Sequence, residues 1–521
     1  VIGSYRLEGT FNMDSAYPFN PLDWNTIIPL YTALRDAPIP PGGFLDWLGE
    51  WNQLDIAIWD AYTALKRPTY SDTRDQAAAQ AYSRYVQALY STYLGLTNQL
   101  ITRALTVQPE APSPVYEQLW RRWRNQQALF HPANLPIQAE ISGLEIHYRA
   151  IMNSVTPDDP AGYWLDRRVE LNDLMLRLIR LRRSLAQNSG LPHFLAYRWR
   201  ELNRLDYTIA DCQAFHQAIE RIVVPVLARQ HAAGLDRHAR PEVHDLGVLK
   251  AGVERMLQQI DPEFGAVFRM MGDEWLDFGD RPGKAQTIEE WFFPGVGLPY
   301  LHVASTNVAS VLHESGHGMH DYLSFRAHGS MWHLNGPEEF QEFAATSMEL
   351  LGSAYYEQAH GGFFSADESA QARRYGLQLN FDWLAECALQ DAFEHWVYGA
   401  APANVTARDL DTKWLELKAR FHPWDGDAAS SEAAQTEWQR DKWSLFRMPL
   451  YMITYPMAFV GACQFAQQAE SDRAGAIRRY KMALTHGNTR TLPALFRTVG
   501  LDFPFPEAAV AAMVQFVTTQ L

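Results

Sequence analysis

Apolar residues recur along this chain at steps of three and four. Tyr82, Tyr85, Val86, Leu89, Tyr90 and Tyr93 form one run, and Leu171, Leu174, Met175, Leu178 and Leu185 another. That spacing lines one face of a helix and predicts amphipathic helices over both stretches. The second run closes at Gly190, a suitable helix C-terminus. Alternating strand patterns are almost absent. The exception is WFFPGVGLPYLHVAST, residues 291–306, where short extended pieces lie between Gly and Pro. Breaks fall at Pro38–Gly43, Pro109–Pro114 and Thr156–Gly162, none of them a long linker, and no repeat is visible. The expectation is a mainly α fold with a small β element, in an N-terminal helical part (1–205) and a second part (206–521) that carries the richest motif.

Composition removes several function classes. The 521 residues are 47% hydrophobic and 13% aromatic, enough to bury a large core and incompatible with intrinsic disorder. Lys and Arg number 45 against 60 Asp and Glu, a net charge of −15, so no nucleic acid or anionic membrane partner is expected. Residues 448–469 lack any charge, but Pro449, Pro456 and three Gln interrupt them, which reads as a buried helix and not a membrane span. Cys212, Cys387 and Cys463 are few, odd in number and far apart, so no disulfide framework is implied and a reducing, cytoplasmic location is expected. The opening VIGSYRLEGTFNMDSAYPF carries acids and no apolar run, unlike a secretory leader.

Chemistry concentrates in VLHESGHGMH, residues 311–320. His313 and His317 are four apart, so on a helix both imidazoles leave one face a turn apart. Two nitrogens at that spacing can share one Zn²⁺, and the adjacent Glu314 can take a proton from the attacking water. Ser305, Thr306 and Asn307 are candidate N-caps, and Gly329 follows the expected end. Gly316 and Gly318 each cost about 1 kcal/mol of helix propensity, but let another segment approach closely. His320 stands seven residues from His313, about 10 Å along the axis, too far to share the same ion. It is expected in a supporting, substrate-facing or structural role. A third ligand is sought in PEEFQEFAATSMELL, residues 337–351, a second helix that can fold back antiparallel. Glu338, Glu339, Glu342 and Glu349 compete for the role, and spacing alone does not rank them.

HESGHGMH, with EFAATSMELL starting 25 residues after His317, resembles the thimet-type oligopeptidase superfamily of zinc peptidases, above all the bacterial oligoendopeptidase F and Pz-peptidase-like branch. The family pattern is HExGHxxH…ExxSMxxE. The likeness continues in DAFEHWVY (391–398), in Trp414 to Trp424, in PLYMITY (449–455) and in ALFRTVGLDFP (494–504), covering roughly residues 280 to 505. The resemblance implies that Glu342 is the third ligand of one Zn²⁺ per chain and that Glu349 supports a ligand from behind. It implies a helical ellipsoid with a deep substrate channel, cleavage of short unfolded oligopeptides, and Tyr300–Thr306 as an edge strand that pairs with substrate backbone.

Peptide hydrolysis by zinc-activated water needs a donor to the tetrahedral oxyanion. By the resemblance this is Tyr455, with Tyr451 second; the two share a face if their segment is helical. The chain departs from the family twice. Ser444 or Trp443 stands where relatives carry a His, and QTIEEWF follows Gly283-Lys284-Ala285 in place of a Gly-rich stretch. Both places normally touch substrate in the family. His328, His333, His395 and His422 read as core or capping imidazoles, and Cys387 as a small buried hydrophobe. Two rival functions remain: an all-α HExGH carboxypeptidase, whose second motif brackets a Ser-Gln stretch that EFAATSMELL lacks, and a peptide-binding pseudo-enzyme that retains zinc.

Overall fold

Both runs of apolar spacing form helices. The first is a helix over Gln76–Ala88 that passes through a π turn, Leu89–Tyr93, into a helix over Leu94–Val107, burying Tyr82, Tyr85 and Val86. The second is α1 (Arg168–Asn188), which buries Leu171, Leu174, Met175, Leu178 and Leu185. Its end is closed by Gly190 in the left-handed region (φ 70°), with Gly190 N–H donating to Gln187 O and Leu191 N–H to Ala186 O. Only glycine adopts that conformation without a steric penalty. The computed structural model describes residues 17–107, 113–155, 160–234, 242–430, 432–440 and 442–521. The first sixteen residues, and most of the breaks at Pro109–Pro114 and Thr156–Gly162, lie outside these. Among the described residues no helix is long and apolar enough to cross a membrane. Residues 448–469 instead contribute to a helix over Thr454–Ser471 whose apolar side chains are mostly buried.

The elements that follow α1 are α2 (Ile209–Ala218), β1 (Leu276–Phe278), β2 (Ile288–Phe293), β3 (Leu298–Val303), α3 (Val308–His328), α4 (Glu338–Ser353), α5 (Ala366–Gly399), α6 (Thr454–Ser471) and α7 (Arg473–His486). Helices dominate and the only sheet among the described residues has three strands, the mainly α architecture expected. Two compact units divide the chain. One comprises Val1–Gln127, Pro241–Ala372 and Phe465–Leu501, the other Ala128–Arg240, Arg373–Gln464 and Asp502–Leu521.

The first unit holds the sheet, α3, α4 and α7. β2 and β3 form an antiparallel hairpin turning at Gly297 (φ 76°), and β1 adds in parallel on the far side of β3. The strand order β1-β3-β2 corrects one expectation: β3 is the central strand, not an edge. Leu301, His302 and Val303 are paired on both sides, and all six β3 residues are buried. A strand buried on both faces is apolar throughout, and LPYLHV reads that way once its neighbours are known. Lys284 stitches the sheet from inside. Its Nζ donates to Asp277 O and Gly279 O at 2.8 Å and to Val303 O at 3.1 Å.

The glycines of the histidine helix do what their small size allows. A Cβ on Gly316 would stand 2.6 Å from Ala345 Cα, and one on Gly318 3.0 Å from Pro299 Cβ. α3 therefore touches the backbone of α4 on one side and the Pro299 ring of β3 on the other. Asn307 caps α3, accepting from Ala309 N–H (3.1 Å), and Gly329 ends it in the left-handed region.

Candidate active site

α3 and α4 run antiparallel. Leu312 meets Gly352, His313 meets Glu349, Gly316 meets Ala345 and His317 meets Glu342. Glu342 Oε2 lies 3.3 Å from His313 Nε2 and 3.8 Å from His317 Nε2. The ligand atoms of the three residues all fall within 4.8 Å of one another. Neighbouring ligands on a tetrahedral Zn²⁺ stand about 3.4 Å apart, so this trio fits one ion and leaves one position open. His313 Nδ1–H donates to Glu349 Oε1 at 2.6 Å, which orients the ring and keeps the Nε2 lone pair on the Glu342 side. Glu338 and Glu339 also begin α4, but neither belongs to the trio.

The electrostatics are those of a cation site. Burial opposes charge on His313, but hydrogen bonds to Glu342 and Glu349 hold it well above its usual range. His317 is pushed down to about 4, chiefly by burial. Glu314 is buried and pushed up to about 8 by desolvation; His313 opposes this, and the charges of Glu342, Glu289 and Glu349 add to it. A dication among these carboxylates would lower all their protonation equilibria together. Two further carboxyls in this unit escape sequence reasoning. Burial raises Asp321 to about 8; burial, then the charges of Asp321 and Glu314, raises Glu290 on β2. Asp321 follows Glu314 by seven residues, a helical spacing that could have flagged it. For Glu290 no sequence signal exists.

His320 is fully buried edge-on to Phe340 (ring centres 5.7 Å apart), beside Gly336. Burial pushes it down to about 3, and neither ring nitrogen has a hydrogen-bond partner among the described residues. It does not join the trio. His328 Nε2 donates to Thr485 O (2.9 Å), and His422 stands 3.3 Å from Glu386.

Tyr451 and Tyr455 belong to the second unit. They are half-buried, with ring centres 5.6 Å apart. They do not share a helix face, because α6 starts only at Thr454. Tyr451 lies in the turn before it, which passes through Leu450 at φ 65°, a conformation costing a non-glycine residue about 1–3 kcal/mol. The DAFEHWVY stretch of α5 supports that turn. Glu394 accepts from Leu450 N–H at 2.8 Å, and Tyr398 accepts from the buried Arg182 of α1, which also binds Leu445 O. Ser444 is buried and donates to Gln390 Oε1 at 2.9 Å.

Residues 268–515 match the model of the family described as Peptidase family M3. That segment belongs to peptidase family M3. The M3 segment contains the sheet from β1 onward, α3, α4 and the Tyr451–Tyr455 stretch, and the enzyme is a metallopeptidase, of a family that implies peptide substrates and a catalytic metal. No curated protein matches the chain. Among solved structures, one provisionally assigned as oligoendopeptidase F overlays with a TM-score of 0.89 at 20% identity, covering 98% of each chain. Pz peptidase A bound to an inhibitor overlays at 0.84 and 18% identity, covering 100% of this chain and 99% of that one. The M32 carboxypeptidase of Deinococcus radiodurans overlays at 0.62 and 14% identity, covering 95% and 99%. At these identities the likenesses speak to the fold.

Proposed function

We propose that the M3 segment makes this chain a zinc endopeptidase for short, unfolded oligopeptides, with one catalytic Zn²⁺ held by His313, His317 and Glu342. The observation that carries the reading is the convergence of these three donors within 4.8 Å. A bound zinc ion supplies Lewis acidity to water and to the peptide carbonyl. The protein's own groups do the rest. Glu314 takes a proton from the attacking water and returns it to the leaving amine, while Glu349 keeps His313 in its tautomer. Tyr455, with Tyr451 second, donates to the oxyanion; this role rests on the family resemblance. Three buried cysteines, none of them in a disulfide, favour a cytoplasmic enzyme.

A carboxypeptidase is the second reading, favoured by the likeness to the Deinococcus enzyme and weakened by its poorer overlay, 0.62 against 0.89. A peptide acetylated at its N-terminus and amidated at its C-terminus separates the two. The endopeptidase should cut it internally, with both fragments visible by mass spectrometry, and should leave a native globular protein intact. Sequential loss of C-terminal residues from an unblocked peptide, with the blocked one untouched, would return the carboxypeptidase. No turnover on a mixed peptide pool would leave the pseudo-enzyme.

For Tyr455 the test must separate chemistry from packing. Tyr455→Phe keeps the ring against Trp383 (ring centres 5.7 Å apart) and deletes only the hydroxyl. We expect kcat to fall about 10²–10³-fold, as for other oxyanion donors, with metal content and Tm unchanged. An unchanged kcat moves the role to Tyr451.

A further inference from the structure

The second unit contains a buried cluster that peptide hydrolysis does not use. α2 carries Cys212 and His216 four residues apart, and α5 carries Asp391 and His395 four residues apart. At that spacing each pair leaves its helix on one face. All four side chains are buried, Cys212 and Asp391 completely. His216 Nε2–H donates to Asp391 Oδ2 at 2.7 Å, and His395 Nε2 lies 3.2 Å from the same oxygen. The two imidazole centres are 5.2 Å apart and inclined at 68°. Ligand atoms of Cys212, Asp391 and His395 all fall within 4.8 Å of one another. Among the described residues the only other group of three with this property is His313, His317 and Glu342.

Hydrogen bonding accounts for only part of the cluster. Asp391 Oδ1 and His395 Nδ1 are out of solvent with no hydrogen-bond partner among the described residues, and His395 Nε2 faces Asp391 without an aligned bond. Buried polar atoms are nearly always satisfied, so a carboxylate oxygen and an imidazole in this state point to a missing ligand.

We propose that Cys212, Asp391 and His395 bind a second divalent transition-metal ion, Zn²⁺ in the first instance, with His216 fixing the carboxylate from behind. The donor set selects the ion: sulfur and imidazole suit zinc and its neighbours, whereas Mg²⁺ and Ca²⁺ take oxygen ligands. Charge balance favours it too. The Cys212 thiol gives up its proton on binding, and thiolate plus carboxylate then neutralise the dication, leaving no net charge in the interior. The 3.2 Å separation of His395 Nε2 and Asp391 Oδ2 is close to the roughly 3.4 Å edge of a tetrahedral zinc site. With every ligand buried, the ion has a structural task. It joins α2 to α5 beside Glu394, which holds the backbone of the Leu450 turn.

Sulfur gives the test its specificity, because the His313–His317–Glu342 site contains none. The full-length protein is produced in cobalt-supplemented medium, and its metal content and near-ultraviolet absorption are measured. We expect about two metal equivalents per chain and a thiolate-to-Co²⁺ charge-transfer band. The band should survive in His313→Ala, which empties the first site. It should vanish with one equivalent in Cys212→Ser, which keeps Cys387 and Cys463. His395→Gln, which leaves every thiol in place, should also lose the second equivalent and covers the case in which Cys212→Ser does not fold. One equivalent and no band in the wild-type protein overturns the proposal and leaves a hydrogen-bonded network. A band that persists in Cys212→Ser assigns the sulfur elsewhere and overturns it equally.

Discussion

Glu314→Gln should keep the full metal content of the wild-type enzyme and lose roughly 10²–10⁴-fold in kcat, the usual contribution of a positioned general base. The carboxamide has nearly the same volume, so α3 keeps its packing, and His313, His317 and Glu342 keep their positions. What disappears is the ability to accept a proton from water. The environment of Glu314 suits the role: burial pushes its carboxyl up to about 8, and a cation beside it would bring that value down toward neutrality, where a general base is most effective. KM should change little, because the loss belongs to the transition state. Single-turnover cleavage of a quenched fluorescent peptide, with metal content by plasma emission on the same sample, checks both halves. Substantial residual kcat with metal in place removes Glu314 from the chemistry.

Glu342→Ala should abolish metal binding at this site and activity with it. Its Oε2 lies within 3.8 Å of both histidine Nε2 atoms, so its removal leaves two imidazoles as the remaining direct donors. The affinity loss should exceed the 10–100-fold typical of an outer partner, which is the loss expected for Glu349→Ala. Glu338→Ala and Glu339→Ala should bind metal normally. Competition with a chromogenic chelator ranks the four variants. A Glu342→Ala protein with normal affinity beside a Glu339→Ala protein without it would place the ligand one turn earlier on α4.

The parts of this site legible in the sequence are those set by helical spacing. His313 and His317 are four apart, their helix has its cap at Asn307 and its stop at Gly329, and Gly316 marks the close approach of another backbone. The convergence of Glu342 on the two histidines was not legible from spacing. Glu339 and Glu342 are both buried on α4, and only the family pattern preferred Glu342. The central position of β3 was hidden for a different reason: its parallel partner β1 is three residues long, too short to carry an alternation. Likewise, nothing local to Tyr451 reveals that α6 starts at Thr454, because the turn is held by Glu394 from a distant stretch of chain. The pairing of Cys212 with Asp391 is of the same kind.

The antiparallel arrangement of α3 and α4 also bears on the order of folding. Both ligand helices and the residues joining them lie within Val308–Ser353, so bringing His313, His317 and Glu342 together closes a short loop and costs little chain entropy. The docking of α7 on α4, where Tyr480 donates to Ala344 O, requires a longer excursion, and such contacts form more slowly. The helical hairpin is therefore placed to assemble ahead of the docking of α7 and to offer two histidines and a glutamate to metal while the chain is still incomplete. Pulse-labelled hydrogen exchange during refolding should find the amides of α3 and α4 protected before those of α7, and earlier still when zinc is present. Protection of α7 first would reverse this order.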